Sequence, residues 1–250
     1  VAAGVHVLEA WTRPHVRGDA ISAVRAMTVR VARALRLAPL ARVTALEAVR
    51  AEDGLTLACA AEVAQGLVIG RAARTDRSPF VRLGVVARNL LRQLPKPVIV
   101  VPPDLPAVAP GPVLLATDLA DATEPAVAFA RALAARHGRA LELVHVGERR
   151  HSDLIDALDP GWLAARDSYR AAVADLVRAW AGVHRLADAP RHVVYGEPAA
   201  QLAAVEAERQ AALIVVGSRR LGLVTRAFLS STASTLAAHA ACPVAVVPLV

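Results

Sequence analysis

Residues 213–249 read LIVVGSRRLGLVTRAFLSSTASTLAAHAACPVAVVPL. Leu213-Ile214-Val215-Val216 is a short apolar run closed by Gly217, the pattern of a strand buried on both faces. A basic segment, 218–226, follows and is expected to be a flexible loop. The hydroxyl cluster Ser230-Ser231-Thr232 opens a helix of small residues that runs to Ala241. Cys242-Pro243 breaks it, and Val244-Ala245-Val246-Val247 is a second buried strand. Strand, glycine turn, loop, helix N-terminus and strand together form a layout in which backbone N–H groups and a helix dipole converge on an anion.

The words on either side of that loop resemble the C-terminal signature of the universal stress protein family. Val215-Val216-Gly217-Ser218 and His239-Ala240-Ala241-Cys242-Pro243-Val244 both match it. The family's phosphate motif is a glycine, two residues, a glycine, nine residues, a glycine, and then serine or threonine. In that register this chain has Gly217, Arg220, Ser230 and Ser231, so the first glycine and the final hydroxyl are kept and the middle glycines are replaced. The resemblance implies an α/β fold of the adenine-nucleotide alpha-hydrolase-like kind, with open parallel sheets.

Working outward, the same pattern occurs twice. Val5-His6-Val7 answers Val144-His145-Val146, and Leu67-Val68-Ile69-Gly70 answers Ile214-Val215-Val216-Gly217. Leu83-Gly84-Val85 answers Leu229-Ser230-Ser231, and Pro97 to Pro102 answers Pro243 to Pro248. Alternating strands and helices predict parallel α/β sheets. The proline-rich stretch Pro102-Pro103-Asp104-Leu105-Pro106 through Gly111-Pro112 reads as a semi-rigid spacer between two domains, 1–105 and 111–250. In the first domain, strands are expected at 5–8, 43–49, 67–69 and 98–101. Helices are expected at 17–37, at 53–65 with Asp53 as N-cap, and at 84–94. In the second, strands are expected at 113–116, 141–146, 192–195, 213–216 and 244–247. Its helices are expected from Asp121-Ala122-Thr123-Glu124 to a stop at Gly138, then at 163–186 and 199–209.

The second repeat carries the segment 112–141 ahead of the strand that matches Val5; the first has only Val1 to Gly4 there. The first repeat is thus expected to lack a strand and helix, which residues upstream of Val1 or another chain would supply, because a sheet without its central strand leaves backbone groups unpaired. In the family the last strand of each domain is an edge used for pairing. The strands at 98–101 and 244–247 are therefore expected to meet within the chain and form a pseudo-dimer.

By resemblance, Asp118, closing the first strand of the second repeat, contacts the adenosine part of ATP; the plain alternative is a loop or capping carboxylate. Val146 would offer a backbone contact near the base, or be core. Gly217 would permit a tight turn, Ser218 and Arg219 would follow where phosphates lie, and Ser231 matches the phosphate-binding hydroxyl. Arginine pairs well with phosphate, so Arg219 and Arg220 could supply charge where a glycine backbone no longer approaches; otherwise they are a solvated basic loop. Ser230 and Thr232 also suit helix capping. Arg220 and Ser230 in place of glycines make any ATP site a weak one. In the first repeat the matching positions are Gly70, Ala73, Gly84 and Val85, with no hydroxyl, so that half is not expected to bind nucleotide.

Bulk properties narrow the function further. The chain has 250 residues, 55% hydrophobic, and a net charge of +7 carried almost wholly by arginine, with Lys96 its single lysine. That balance admits nucleic-acid binding, but aromatic residues make up 3% and no nucleic-acid motif is present, which argues against it. No apolar run reaches the roughly 20 residues of a membrane helix. Two cysteines, Cys59 and Cys242, suit a reducing cytoplasm rather than a disulfide framework. The eight histidines lack metal-ligand spacing, and neither a Gly-x-Ser-x-Gly elbow nor a Gly-x-x-x-x-Gly-Lys loop occurs. The expectation is a non-enzymatic, cytoplasmic stress-response protein that senses a ligand or binds a partner, including a second copy of itself. The alternatives are an ATP-hydrolysing or autophosphorylating member, or a structural module that binds no nucleotide.

Overall fold

Each apolar quartet read from the sequence is a strand in the computed structural model. It describes residues 3–9, 22, 26, 42–61, 64–71, 83–103, 105, 109–120, 123–148, 160–219 and 232–249. The expected helix at 17–37 lies outside these residues except at Ser22 and Ala26, which are helical.

The chain divides into two compact units, Val1–Gly66 and Leu67–Val250. In the first, β1 (Ala3–Glu9) and β2 (Arg42–Ala48) pair in parallel, Ala3 opposite Arg42 and Glu9 opposite Ala48. Helix α1 (Ala51–Ala61) packs on that pair. It begins two residues before the expected N-cap, so Asp53 stands with Glu52 in its first turn, where a carboxylate faces the positive end of the helix dipole.

The second unit is built on one seven-stranded sheet. Its strands are β3 (Leu67–Gly70), β4 (Val98–Val101), β5 (Val113–Thr117), β6 (Leu141–Gly147), β7 (Arg191–Tyr195), β8 (Leu213–Arg219) and β9 (Val244–Leu249). Their spatial order is β3-β4-β9-β8-β5-β6-β7. All neighbours are parallel except β4 and β9, which run antiparallel with Val98 opposite Val246 and Val100 opposite Val244. The last strands of the two repeats therefore meet edge to edge, as expected. Compactness divides the chain at Gly66 rather than at the spacer because β3 and β4, from the first repeat, are hydrogen-bonded through β9 into the sheet of the second.

Helices cover both faces, as parallel strands require. They are α2 (Val85–Gln93), α3 (Glu124–Arg136), α4 (Pro160–Val183), α5 (Pro198–Arg209) and α6 (Thr232–His239). Alternate residues of each strand feed opposite cores. Leu114, Val144, Ile214, Val216, Val244 and Val246 pack with Leu91, Leu202, Val205 and Leu236 from α2, α5 and α6. Leu115, Leu143, Val215, Ala245 and Val247 pack with Val127, Ala130 and Trp180 from α3 and α4. Helix α3 starts at Glu124 with Pro125 in its first turn and ends before Gly138, whose φ of +59° suits glycine. Helix α5 is capped by Glu197, whose carboxylate accepts the N–H groups of Ala199 and Ala200.

Three polar contacts fasten the helices to the sheet. Buried Glu142, in β6, accepts from Arg209 at the end of α5 at 2.8 and 3.0 Å and from His192 of β7 at 2.7 Å. Buried Glu206 accepts the Cys242 N–H at 2.6 Å, tying α5 to the corner between α6 and β9. Arg71, just past β3, donates to the Ala240 carbonyl at the end of α6. Cys242 is buried at that corner; burial pushes its thiol well above the usual range, which leaves it a packing group rather than a nucleophile.

Candidate functional site

From β5 the chain crosses to β6 on one side, whereas β8 flanks β5 on the other. In an open parallel sheet this reversal leaves a crevice beyond the carboxyl ends of the two strands. A cavity of about 520 Å³ lies there. Its walls are Ala116 and Thr117 of β5 with Asp118 just beyond, Thr123 before α3, Val144 and Val146 of β6, and Pro198 and Leu202 of α5. Val216, Gly217, Ser218 and Arg219 of β8, Thr232 and Ala233 of α6, and Leu249 of β9 complete it.

The turn after β5 is unusually constrained. Leu119 has φ of +62°, a left-handed conformation disfavoured for leucine. Two local hydrogen bonds hold it: the Leu119 N–H donates to Thr117 Oγ1 at 3.0 Å, and the Ala120 N–H donates to Asp118 Oδ1 at 3.1 Å. Thr123 Oγ1 in addition donates to the Ala120 carbonyl. From the next strand, His145 Nδ1 donates to the Thr117 carbonyl at 2.9 Å. Backbone strain of this kind persists where surrounding contacts over-determine it, and it gathers at functional sites. Here it aims Asp118 across the crevice, where Oδ2 accepts from Arg219 Nη2 at 2.7 Å. Both side chains are 58% exposed, so the pair sits at the mouth of the cavity.

The structure brings Asp118, Val146, Gly217, Ser218 and Arg219 to one cavity. Ser231, with Arg220 and Ser230, lies outside the described residues, as does Ala73 of the first repeat. Two expectations are corrected. Ser218 and Arg219 do not start a flexible loop: β8 continues through both, with Ser218 opposite Pro248 and Arg219 opposite Leu249. Gly217 does not make a tight turn either, being an ordinary strand residue opposite Val247. It is glycine for space, since a Cβ there would stand 2.8 Å from Leu249 Cδ1. Val146 is half-buried and contributes both to the core and to the cavity wall.

Sequence reasoning missed Thr117, Thr123, Pro198, Leu202 and Leu249. Thr117 had a signal, a hydroxyl ending an otherwise apolar strand. Leu202 and Leu249 had none, for they reach the cavity only through the packing of α5 and β9. Among the described residues there is no cluster of three or more histidine, cysteine or acidic groups able to hold a metal ion. Nor is any helix among them long and apolar enough to cross a membrane.

Fold and site define an open α/β protein with a cavity at its topological switch point. A model of the universal stress protein family matches residues 111–248. The chain is 35% identical over 138 residues to a universal stress protein of Thermus aquaticus, covering 54% of this chain and 96% of that one. It is 33% identical over 198 residues to one of Mycolicibacterium smegmatis, covering 77% of this chain and 64% of the relative. The chain thus spans less than two thirds of that mycobacterial relative. A universal stress protein from Archaeoglobus fulgidus has the same fold, with a TM-score of 0.70 at 17% identity over 98% of this chain and 86% of its own. A protein of unknown function from Pseudomonas aeruginosa superposes with a TM-score of 0.69 at 12% identity, over 99% of this chain and 82% of its own. This chain belongs to the universal stress protein family.

Proposed function

We propose that this chain is a non-enzymatic cytoplasmic stress-response protein that binds an adenine nucleotide between β5 and β8 and conveys the bound state to a partner protein or a second copy. The observation that supports this reading most is the lining of the cavity, which combines the apolar Val144, Val146, Val216 and Leu202 with the polar Asp118, Ser218, Arg219 and Thr232. An apolar slot with a few convergent polar groups suits a flat base carrying a hydroxylated, anionic tail, and the volume lies in the range of small-molecule sites. On this reading the valines and Leu202 hold the base and Asp118 accepts from a ribose hydroxyl. Ser218, Arg219 and the N-terminus of α6 at Thr232 face the phosphates, with Ser231 adding a hydroxyl by family resemblance. Arg220 in place of the family motif's glycine should keep the affinity low, since a residue with a Cβ restricts the backbone conformations that glycine allows.

Calorimetric titration with ATP, with and without magnesium, tests this reading. Asp118→Ala should weaken binding by about tenfold or more, the equivalent of one hydrogen bond to a charged group. Tight wild-type binding unaffected by Asp118→Ala would move the ligand elsewhere. Phosphate released from ATP by the wild type and not by the variant would replace the non-enzymatic reading with a hydrolytic one. No binding at all would leave a structural module.

A further inference from the structure

We propose that the Asp118–Arg219 ion pair is a latch that a phosphate opens, so that the site discriminates between phosphorylated and unphosphorylated nucleosides. The proposal rests on the nucleotide reading of the cavity and adds a specificity device to it. Asp118 leaves the end of β5 and Arg219 the end of β8, neighbouring strands on either side of the crevice. Their 2.7 Å contact joins two residues that both line the cavity. The carboxylate is committed on both oxygens, Oδ1 to the Ala120 N–H and Oδ2 to Arg219. A ligand hydroxyl that approaches Asp118 must therefore share an oxygen with a donor already there, and on Oδ2 that donor is the guanidinium.

The balance of forces makes the displacement selective. Both partners are more than half exposed, so solvent screens their attraction and the pair is cheap to break. A phosphate carries more charge than one carboxylate and matches the guanidinium fork, so it draws Arg219 away. Asp118 is then released to accept from the ligand's hydroxyl, and the two contacts form together. A nucleoside without phosphate has nothing to attract Arg219 and competes with it for Asp118. Arg219 thus helps a nucleotide and hinders a nucleoside, with Asp118 common to both effects.

The test measures the affinities of AMP and adenosine for the wild type, Arg219→Ala and Asp118→Asn, with thermal unfolding confirming that each variant folds. Arg219→Ala should weaken AMP and tighten adenosine, reducing the wild-type preference for AMP by about fivefold or more, the lower end of typical coupling between sites. Adding salt should reduce the wild-type preference more than that of Arg219→Ala, because the wild type alone has the arginine–phosphate attraction to be screened. Asp118→Asn should weaken both ligands. If Arg219→Ala shifts AMP and adenosine by the same factor, or shifts neither, the latch is wrong while the nucleotide site stands. If neither ligand binds to any of the three proteins, the site reading fails and the latch with it.

Discussion

At Gly111 the proline-rich spacer stops being a spacer. Its N–H donates to the Gln210 carbonyl at 3.1 Å, and its own carbonyl accepts from Arg139 at 2.9 Å. A Cβ there would lie 2.1 Å from the Gln210 carbonyl oxygen and 2.4 Å from that of Arg209, so only glycine lets the chain pass the corner between α5 and β8. Backbone atoms on both sides cannot swing away as a side chain would. Gly111→Ala should therefore cost about 1–3 kcal/mol, the range for overpacking a tight site, read as a lower urea midpoint. Unchanged stability would show that this end of the spacer lifts off the domain. Gly217 tells a related story, with a difference: its neighbour is the end of the Leu249 side chain, which has more room to yield. In both cases composition marks a glycine and only the fold says what it makes room for.

At the scale of elements, the junction of β4 with β9 joins the last strands of the two repeats. The Ile214 N–H donates to the Pro243 carbonyl, so Pro243, Ala245 and Val247 turn their backbone groups toward β8. By alternation, Val244 and Val246 turn theirs toward β4, opposite Val100 and Val98. Pro248 would be next on that side, but β4 begins at Val98 and leaves no strand residue opposite it. A residue without an N–H is tolerated where the ladder has ended. Moving the proline two places inward, Val246→Pro, should break the junction. It removes the donor to Val98 and leaves a buried carbonyl unpaired, at about 1–3 kcal/mol before any steric cost. Amide exchange should then quicken at Val98 and Val100 while β5 and β6 stay protected. Equal protection of β4 in the variant would mean that the antiparallel ladder is not what holds it.

For the whole molecule, acid stability turns on the buried carboxylate of Glu142. Hydrogen bonding to Arg209 holds it below the usual carboxylate range, against the opposing effect of burial, and His192 adds to the lowering. The ionised form is thus favoured in the folded state. Its contribution to stability is complete above the carboxylate's unfolded value and is lost as pH falls through the lowered folded one. Glu142→Gln should be less stable than the wild type at neutral pH by about 1–3 kcal/mol, having exchanged charge-assisted hydrogen bonds for neutral ones. It should also lose less on acidification, so that the two stability curves converge at low pH. Parallel curves from neutral pH down would show that another group governs the acid limb. The effect is global because Glu142 joins β6, β7 and α5 at once.

The types of the described strands and helices were legible because each depends on local pattern, whereas the pairing of the last strands was expected from the family resemblance and is seen between β4 and β9. Apolar quartets between turn signals can hide their side chains only as strands within a sheet, and Val98–Val101 has the bounds its pattern predicted. Asp118, Gly217, Ser218 and Arg219, which the family resemblance assigned to one site, do line one cavity, at the strand ends where a parallel sheet offers its crevice. The role of each was a different matter. Gly217 proved to leave room for the Leu249 side chain, Ser218 and Arg219 extend a strand, and Asp118 is held by Arg219, a partner 101 residues away in the chain. Glu142 and Glu206 stand out in no sequence pattern, and the fold buries both beside their partners. Periodicity is set by neighbours three or four residues apart and can be read directly. Burial, charge pairing and the room beside a glycine are set by residues distant in the chain, and only tertiary structure brings those together.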